Sequence, residues 1–160
     1  MSRVTVDYSR FPLVIQSMRF GYTWEEMEEA LNRYVPLWEG ERRFALAVWN
    51  EPGAALPDAS MRAMIAVHQD KYAEGIRRTN VVCAVVMREF SYRAALTALN
   101  WLSPPASPQR ACGSIIEAVE HCCEVLTRER IPLNPAIHAL REELRRNMGY
   151  AGIPTPGDRP

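Results

Sequence analysis

The sequence predicts an α/β fold: a mixed, mostly parallel five-stranded sheet with helices packed on it, followed by a C-terminal helix. Three observations carry this. Strand-like and helix-like segments alternate in the order β β α β α β α β α before a last helix, which implies parallel strands joined by crossover helices. "VVCAVVM", residues 81–87, is an apolar run without polar alternation, the pattern of a central strand covered on both faces. The alternating "VTVDY" is followed across Pro12 by "LVIQSMRF", so a short edge strand turns into a second strand and the sheet opens with an antiparallel pair.

The elements follow in order. "TWEEMEEALNRYVPLW" carries Thr23 and Glu26 at capping-box spacing, each side chain satisfying the other's orphan backbone N–H. Met27, Ala30, Leu31, Tyr34 and Trp38 recur at helical spacing as one buried stripe, and Pro36 should end or kink this helix near Val35. "RRFALAVWN" is a strand, and "EPGAALPD" is a loop broken by Pro and Gly. A second helix opens at Asp58 or Ser60 as cap, with Met61, Met64, Ile65, His68, Tyr72 and Ile76 on one face. After the central strand, "SYRAALTALNWL" begins with Ser91 as cap and stops at "SPPASP". "QRACGSI" is the last strand, and "IIEAVEHCCEVLTRE" a helix with Ile115, Val119, Cys122 or Cys123, and Leu126 inward. "AIHALREELRRNM" places Ile137, Leu140, Leu144 and Met148 on one stripe. The organisation expected is one α/β domain over 1–130, an appended amphipathic helix over 131–149, and a disordered tail over 150–160.

Composition excludes several function classes. At 160 residues, 48% hydrophobic and 24% charged, the chain is a single soluble globular domain able to bury a core without disulfides or metals. Lys plus Arg and Asp plus Glu both number 19, so no overall field draws it to nucleic acid or an acidic membrane. No apolar stretch reaches the roughly 18 residues of a membrane span, and "MSRVTVDYSRF" lacks a signal-peptide core. Cys83, Cys112, Cys122 and Cys123 form no CxxC pair, which fits reduced thiols and a cytoplasmic location. The eight glycines never cluster into a phosphate-binding loop.

Candidate chemistry is sparse. A nucleophile elbow needs small residues beside its Ser, and Ser91 has Phe90 and Tyr92, so it reads as a helix start. His121, Cys122 and Glu124 suggest a small enzyme or metal-binding protein, with Glu117, His121 and Glu124 on one helical face. A zinc site wants a second separated ligand pair, which is missing. His68 reads as a core or boundary histidine and His138 as an exposed one. Arg141, Arg145 and Arg146 share a helix side with Glu142 and Glu143, a mixed face rather than a nucleic-acid surface. The expectation is no metal and no cofactor.

Apolar surface says more. In "SYRAALTALNWL" only Arg93, Thr97 and Asn100 are clearly polar, a stripe too narrow for a helix that covers one side of a sheet. The excess must be covered by a neighbouring helix, a tail, or another subunit, with Trp101 a natural anchor. The stripe Ile137, Leu140 and Leu144 likewise needs a surface: its own domain, a protein partner, or a second copy in a homodimer.

"FPLVIQSMRFG", the amphipathic helix, "FALAVWN", "GIRRTNVVCAVVM" and "YRAALTALNWLSPPASPQRACGSIIEAVEHCCEVL" together resemble small bacterial STAS-like, or SpoIIAA-like, proteins over residues 4–128. The resemblance implies a mixed sheet with helices and a non-catalytic protein–protein interaction or regulatory role. Some relatives of this fold are switched by phosphorylation in a "DSSG"-type segment at a helix start. Here that place reads "PDASMRAM": Asp58 and Ser60 are present, the second hydroxyl residue and the Gly are not, and Ser60 is the phosphosite candidate against a plain role as helix cap. The expected function is therefore protein binding in the cytoplasm, without turnover, through Arg93, Thr97, Asn100, Trp101 and the Ile137, Leu140, Leu144 stripe.

Overall fold

The structure, a computed structural model, describes residues 1–102 and 104–150. Its elements are β1 (Val4–Asp7), β2 (Leu13–Met18), α1 (Trp24–Glu39), β3 (Phe44–Asn50), α2 (Ala59–Lys71), α3 (Ala73–Thr79), β4 (Asn80–Val86), α4 (Phe90–Leu102), β5 (Gln109–Cys112), α5 (Ile115–Arg128) and α6 (Pro135–Tyr150). The five strands lie side by side in chain order. β1 pairs antiparallel with β2, and β2, β3, β4 and β5 run parallel. The α/β class, the mixed sheet and the C-terminal helix expected from the sequence are all present. The tail over 151–160 lies outside the described residues.

Sequential order explains the layering. A parallel connection is almost always right-handed, so crossovers between successive neighbours in one direction deliver their helices to the same face. That face carries a core of Val14, Met18, Phe44, Leu46, Ile76 and Cys83 against Met27, Ala30, Leu31, Tyr34 and Trp38 of α1. The chain crosses to the other face only after β5. There α5 and α6 cover Leu13, Ala45, Ala47, Val82, Ala84, Val86 and Cys112. Strand periodicity of two sorts the residues: Val14, Gln16 and Met18 share one face, Leu13 and Ile15 the other.

Local chemistry sets most boundaries. Thr23 and Glu26 form the reciprocal capping box at the start of α1, and Ser114 caps α5 by accepting from the Glu117 N–H at 3.2 Å. α1 does not stop near Val35. It runs through Pro36 to Glu39, because Trp38 is buried and stacks on Tyr34 with ring centroids 5.4 Å apart, while the exposed Pro36 costs a single hydrogen bond in the last turn. α2 is capped by Asp58, whose carboxylate accepts from the Met61 N–H at 2.8 Å. Ser60 therefore lies inside the first turn, exposed, and is not the cap. Ser91 is likewise the second residue of α4 rather than its cap, since the helix begins at Phe90.

The single second helix expected from the sequence is two helices, broken at Tyr72. Gly75 is the cause. A Cβ there would stand 2.2 Å from the Trp38 carbonyl oxygen, so only glycine lets α3 approach the end of α1 this closely. Arg78 then donates to the carbonyls of Trp38 and Gly40 at 3.2 and 3.1 Å, satisfying α1's C-terminal acceptors from outside the helix.

Candidate functional site

The three parallel strands β2, β3 and β4 end at the same edge, and the loops leaving them are tied together. The Glu51 N–H donates to the Met18 carbonyl at 2.9 Å, Arg19 pairs with Glu51 at 3.2 Å, and the Tyr22 hydroxyl donates to the Ala55 carbonyl at 2.9 Å. A crevice between the second and third loops is lined by Asn50, Leu56, Met87, Arg88 and Tyr92. In open parallel sheets the carboxyl ends of the strands are where loops build binding sites.

This edge is unusually apolar. Among the described residues the exposed large hydrophobic side chains are Met1, Phe20, Leu56, Val67, Phe90 and Tyr92. Phe20 follows β2, Leu56 follows β3, and Phe90 and Tyr92 lie in the first turn of α4 just after β4, so four of the six fall along the rim where these strands end, with Leu56 and Tyr92 lining one crevice. Phe90, 77% exposed, has one face under the Arg93 guanidinium at 5.7 Å.

Behind the rim lies a cavity of about 340 Å³ between the sheet, α1, α2 and α4. Gln16, Leu46, Val48, Cys83 and Val85 form its floor, Leu31, Tyr34 and Trp38 one wall, Ile65 of α2 its roof and Leu96 of α4 the far side. It exists because α2 packs on α1 and α3 rather than on the strands. A wedge of aromatic rings holds it there: Trp38, His68 and Tyr72 lie 5.5–6.4 Å apart, centroid to centroid.

The residues singled out from sequence are distributed as follows. Arg93 is an anchor of the fold: its Nη1 donates to the carbonyls of Met87 and Arg88 at 2.9 and 2.8 Å, holding the turn from β4 into α4. Thr97 donates to the Arg93 carbonyl at 2.9 Å. Thr97 and Asn100 together line an open polar groove against Gln109 and Arg110 of β5. The side chain of Trp101 lies outside the described residues. Ile137 is fully buried in the core, with Leu140 and Leu144 packed against the same cluster, so of the two dockings open to α6 the structure has the intramolecular one. Glu120 of α5 fixes that docking, accepting from Arg141 at 2.9 and 2.5 Å and from Arg145 at 2.8 Å. These bonds, Arg141 foremost, hold the Glu120 carboxyl below its ordinary pKa.

His121 Nδ1 and Glu124 Oε2 lie 3.9 Å apart, but Cys122 does not join them. The Cys122 thiol is buried under the sheet, 3.6 Å from the Leu46 carbonyl, while the Glu124 side chain is 74% exposed. His121 Nδ1 lies 3.0 Å from Arg110 Nη1 and so accepts from it. Burial, then the Arg110 charge, pushes the imidazole pKa down. Burial raises Cys83 to about 12 and Cys112 to about 11, and raises Cys122 and Cys123 as well, which leaves no activated thiolate. No group of three or more His, Cys, Asp or Glu able to hold a metal occurs among the described residues, and no helix among them is long and apolar enough to cross a membrane.

Sequence reasoning missed Phe20, Leu56, Phe90, Tyr92 and Gln16. A signal was available for the first four, since each is a large apolar residue in a segment that directly follows a strand ("MRFGY", "GAALPD", "REFSY"), off every helical stripe. No family model, curated protein or solved structure matches the chain. What fold and site define is a class: an α/β domain with an apolar rim at the carboxyl ends of its parallel strands and a cavity behind it.

Proposed function

We propose that the chain is a non-catalytic protein-interaction or regulatory module of STAS-like type, working in the cytoplasm, and that it binds its protein partner through the rim of Phe20, Leu56, Phe90 and Tyr92. The observation that carries this is the concentration of exposed large apolar side chains in the three segments that leave adjoining parallel strands. Scattered surface hydrophobics are ordinary, whereas a contiguous group at one edge marks a contact surface, and aromatic residues are the usual anchors of such contacts. Buried thiols held protonated and a His121 engaged by Arg110 support a role in binding rather than turnover. Four free cysteines support a reducing compartment.

Site-directed photocrosslinking in the native cell tests the reading. A crosslinker at Phe90 should capture one defined protein, and a crosslinker at Val67, which is 69% exposed on the outer side of α2, should not. Phe20→Ser with Tyr92→Ser should abolish that capture while leaving the unfolding midpoint within a few degrees. If the captured protein is a second copy of the chain, the mass in solution must rise with concentration and fall to the monomer in the double variant. Equal capture from both positions, or no capture together with a monomer at every concentration, overturns the rim as the contact surface.

A further inference from the structure

The cavity under α2 adjoins the rim and shares Leu56 with it, but Phe20, Phe90 and Tyr92 take no part in its lining. Its lining is mainly apolar, with Gln16, Asn50, Gln69 and Gln109 as its neutral amide side chains, and a largely apolar pocket of this size with a few polar groups has the character of a small-molecule site. A packing fault is a poor account of it. Empty space forfeits dispersion contacts, and lowering α2 onto the strands would recover them, yet the Trp38, His68 and Tyr72 wedge props the helix away. Water is a poor filler for space so lined.

Of the amide side chains on the lining, Gln16 is the most deeply buried. It is 6% exposed, sits mid-strand between Val14 and Met18, and lines the cavity. Its Oε1 accepts from the Tyr34 hydroxyl at 2.8 Å, which orients the amide and leaves Nε2 with no partner among the described residues. Nε2 is open to the cavity and free to donate to an oxygen there, while Asn50 Oδ1, on the same lining, is buried without a partner and could accept from a hydroxyl. The cationic side chain on the lining is Arg62, an exposed residue whose Nη1 is already given to the Pro57 carbonyl at 2.8 Å. A carboxylate at Gln16 would therefore be buried without a counter-charge, which is strongly unfavourable.

We propose that this cavity binds a neutral, mostly hydrocarbon small molecule bearing a hydroxyl or carbonyl oxygen that accepts a hydrogen bond from Gln16 Nε2. The molecule lies between the sheet and α2, with Leu96 of α4 against its side. This also accounts for part of α4's apolar surface, which a ligand would cover rather than a helix.

The probe is 1-decanol, with decanoate at pH 8 as the charged control, followed by the side-chain amide resonances of the ¹⁵N-labelled protein and by titration calorimetry. Expected are saturable binding of 1-decanol with a shift of the Gln16 amide, decanoate binding at least tenfold weaker, and about fivefold weaker decanol binding in Gln16→Leu, the loss of one neutral hydrogen bond. Val48→Phe and, independently, Leu96→Phe fill the space and should abolish binding while leaving the fold intact by circular dichroism. No saturable decanol binding to the wild-type chain, decanoate bound as tightly as decanol, or decanol bound undiminished by the folded filled variants overturns the proposal. None of these outcomes bears on photocrosslinking at the rim, so the two readings fail separately.

Discussion

The two faces of the sheet are built to different standards. Toward α5 and α6 the strands present Ala45, Ala47 and Ala84, all fully buried, and such short side chains let α5 sit close enough for the Cys122 thiol to reach a strand carbonyl. Toward α1 and α2 they present Gln16, Leu46, Val48, Cys83 and Val85. There α1 is tightly packed, but no residue of α2 is fully buried. One face is closed and holds the fold together, and the other is half closed and leaves room for a ligand. Stability and binding are divided between the faces of one five-stranded sheet.

Thiol reactivity tests this contrast with the largest expected effect. Raising Cys83 from 9.0 to about 12 cuts its thiolate fraction about a thousandfold at pH 8, and the other three cysteines are buried as well. Under native conditions Cys83 should react with a maleimide about a thousandfold and Cys112 about a hundredfold more slowly than a free thiol, Cys122 and Cys123 should be slowed as well, and all four should become reactive in denaturant. Cys83 lines the cavity, while Cys122 lies beneath α5. Mass mapping should therefore find Cys83 labelled ahead of Cys122; the reverse order would break the distinction between open and closed faces.

Truncation mutants compare the faces energetically. Leu126→Ala removes a fully buried side chain from the closed face and should cost about 3–4 kcal/mol in urea unfolding. Ile65→Ala, on the roof of the cavity, should cost under about 1 kcal/mol because its space is already open. Similar losses at the two positions would mean that α2 is packed as firmly as α5. Gly75→Ala falls between them at about 2–3 kcal/mol, since the added carbon must displace the Trp38 carbonyl rather than a flexible side chain.

That glycine also shows where the sequence stops being informative. Local chemistry was readable: the Thr23–Glu26 box, the buried stripe of Met27, Ala30, Leu31, Tyr34 and Trp38, the apolar β4 and the antiparallel start all depend on neighbours within a few positions. Gly75 has its meaning from a carbonyl at Trp38, 37 residues earlier in numbering, and nothing in "KYAEGIRR" signals a break at Tyr72. Pro36 is the converse, a strong local stop signal overridden by the burial of Trp38. The same limit applies to the site. Arg93 looked like a polar stripe on an apolar helix and is instead a clamp on the Met87 and Arg88 carbonyls. The rim could not be seen until Phe20, Leu56 and Phe90 were brought to one edge by strand order, and Gln16 had no visible role until Tyr34 was placed above it.

The ion pairs of α6 give the smallest effect and fix its sign. Glu120 holds Arg141 and Arg145 with side chains that are 28%, 23% and 55% exposed, so solvent screening limits Glu120→Ala to about 1 kcal/mol. Its folded-state pKa is lowered from 4.5, chiefly by the Arg141 hydrogen bonds. A depressed carboxyl pKa contributes stability that is fully present above the unfolded value and is lost as the pH falls through the folded one. The wild-type chain should therefore lose this increment below pH 4.5, while at neutral pH Glu120→Ala should already lack it, so the two stability curves converge in acid. Hydrogen exchange should locate the loss in α6, because among the described residues of that helix only Ile137 is fully buried in the closed core. If exchange instead rose first in α2 at acid pH, α6 would be the firmer element and the closed face would owe its stability to apolar packing without help from Glu120.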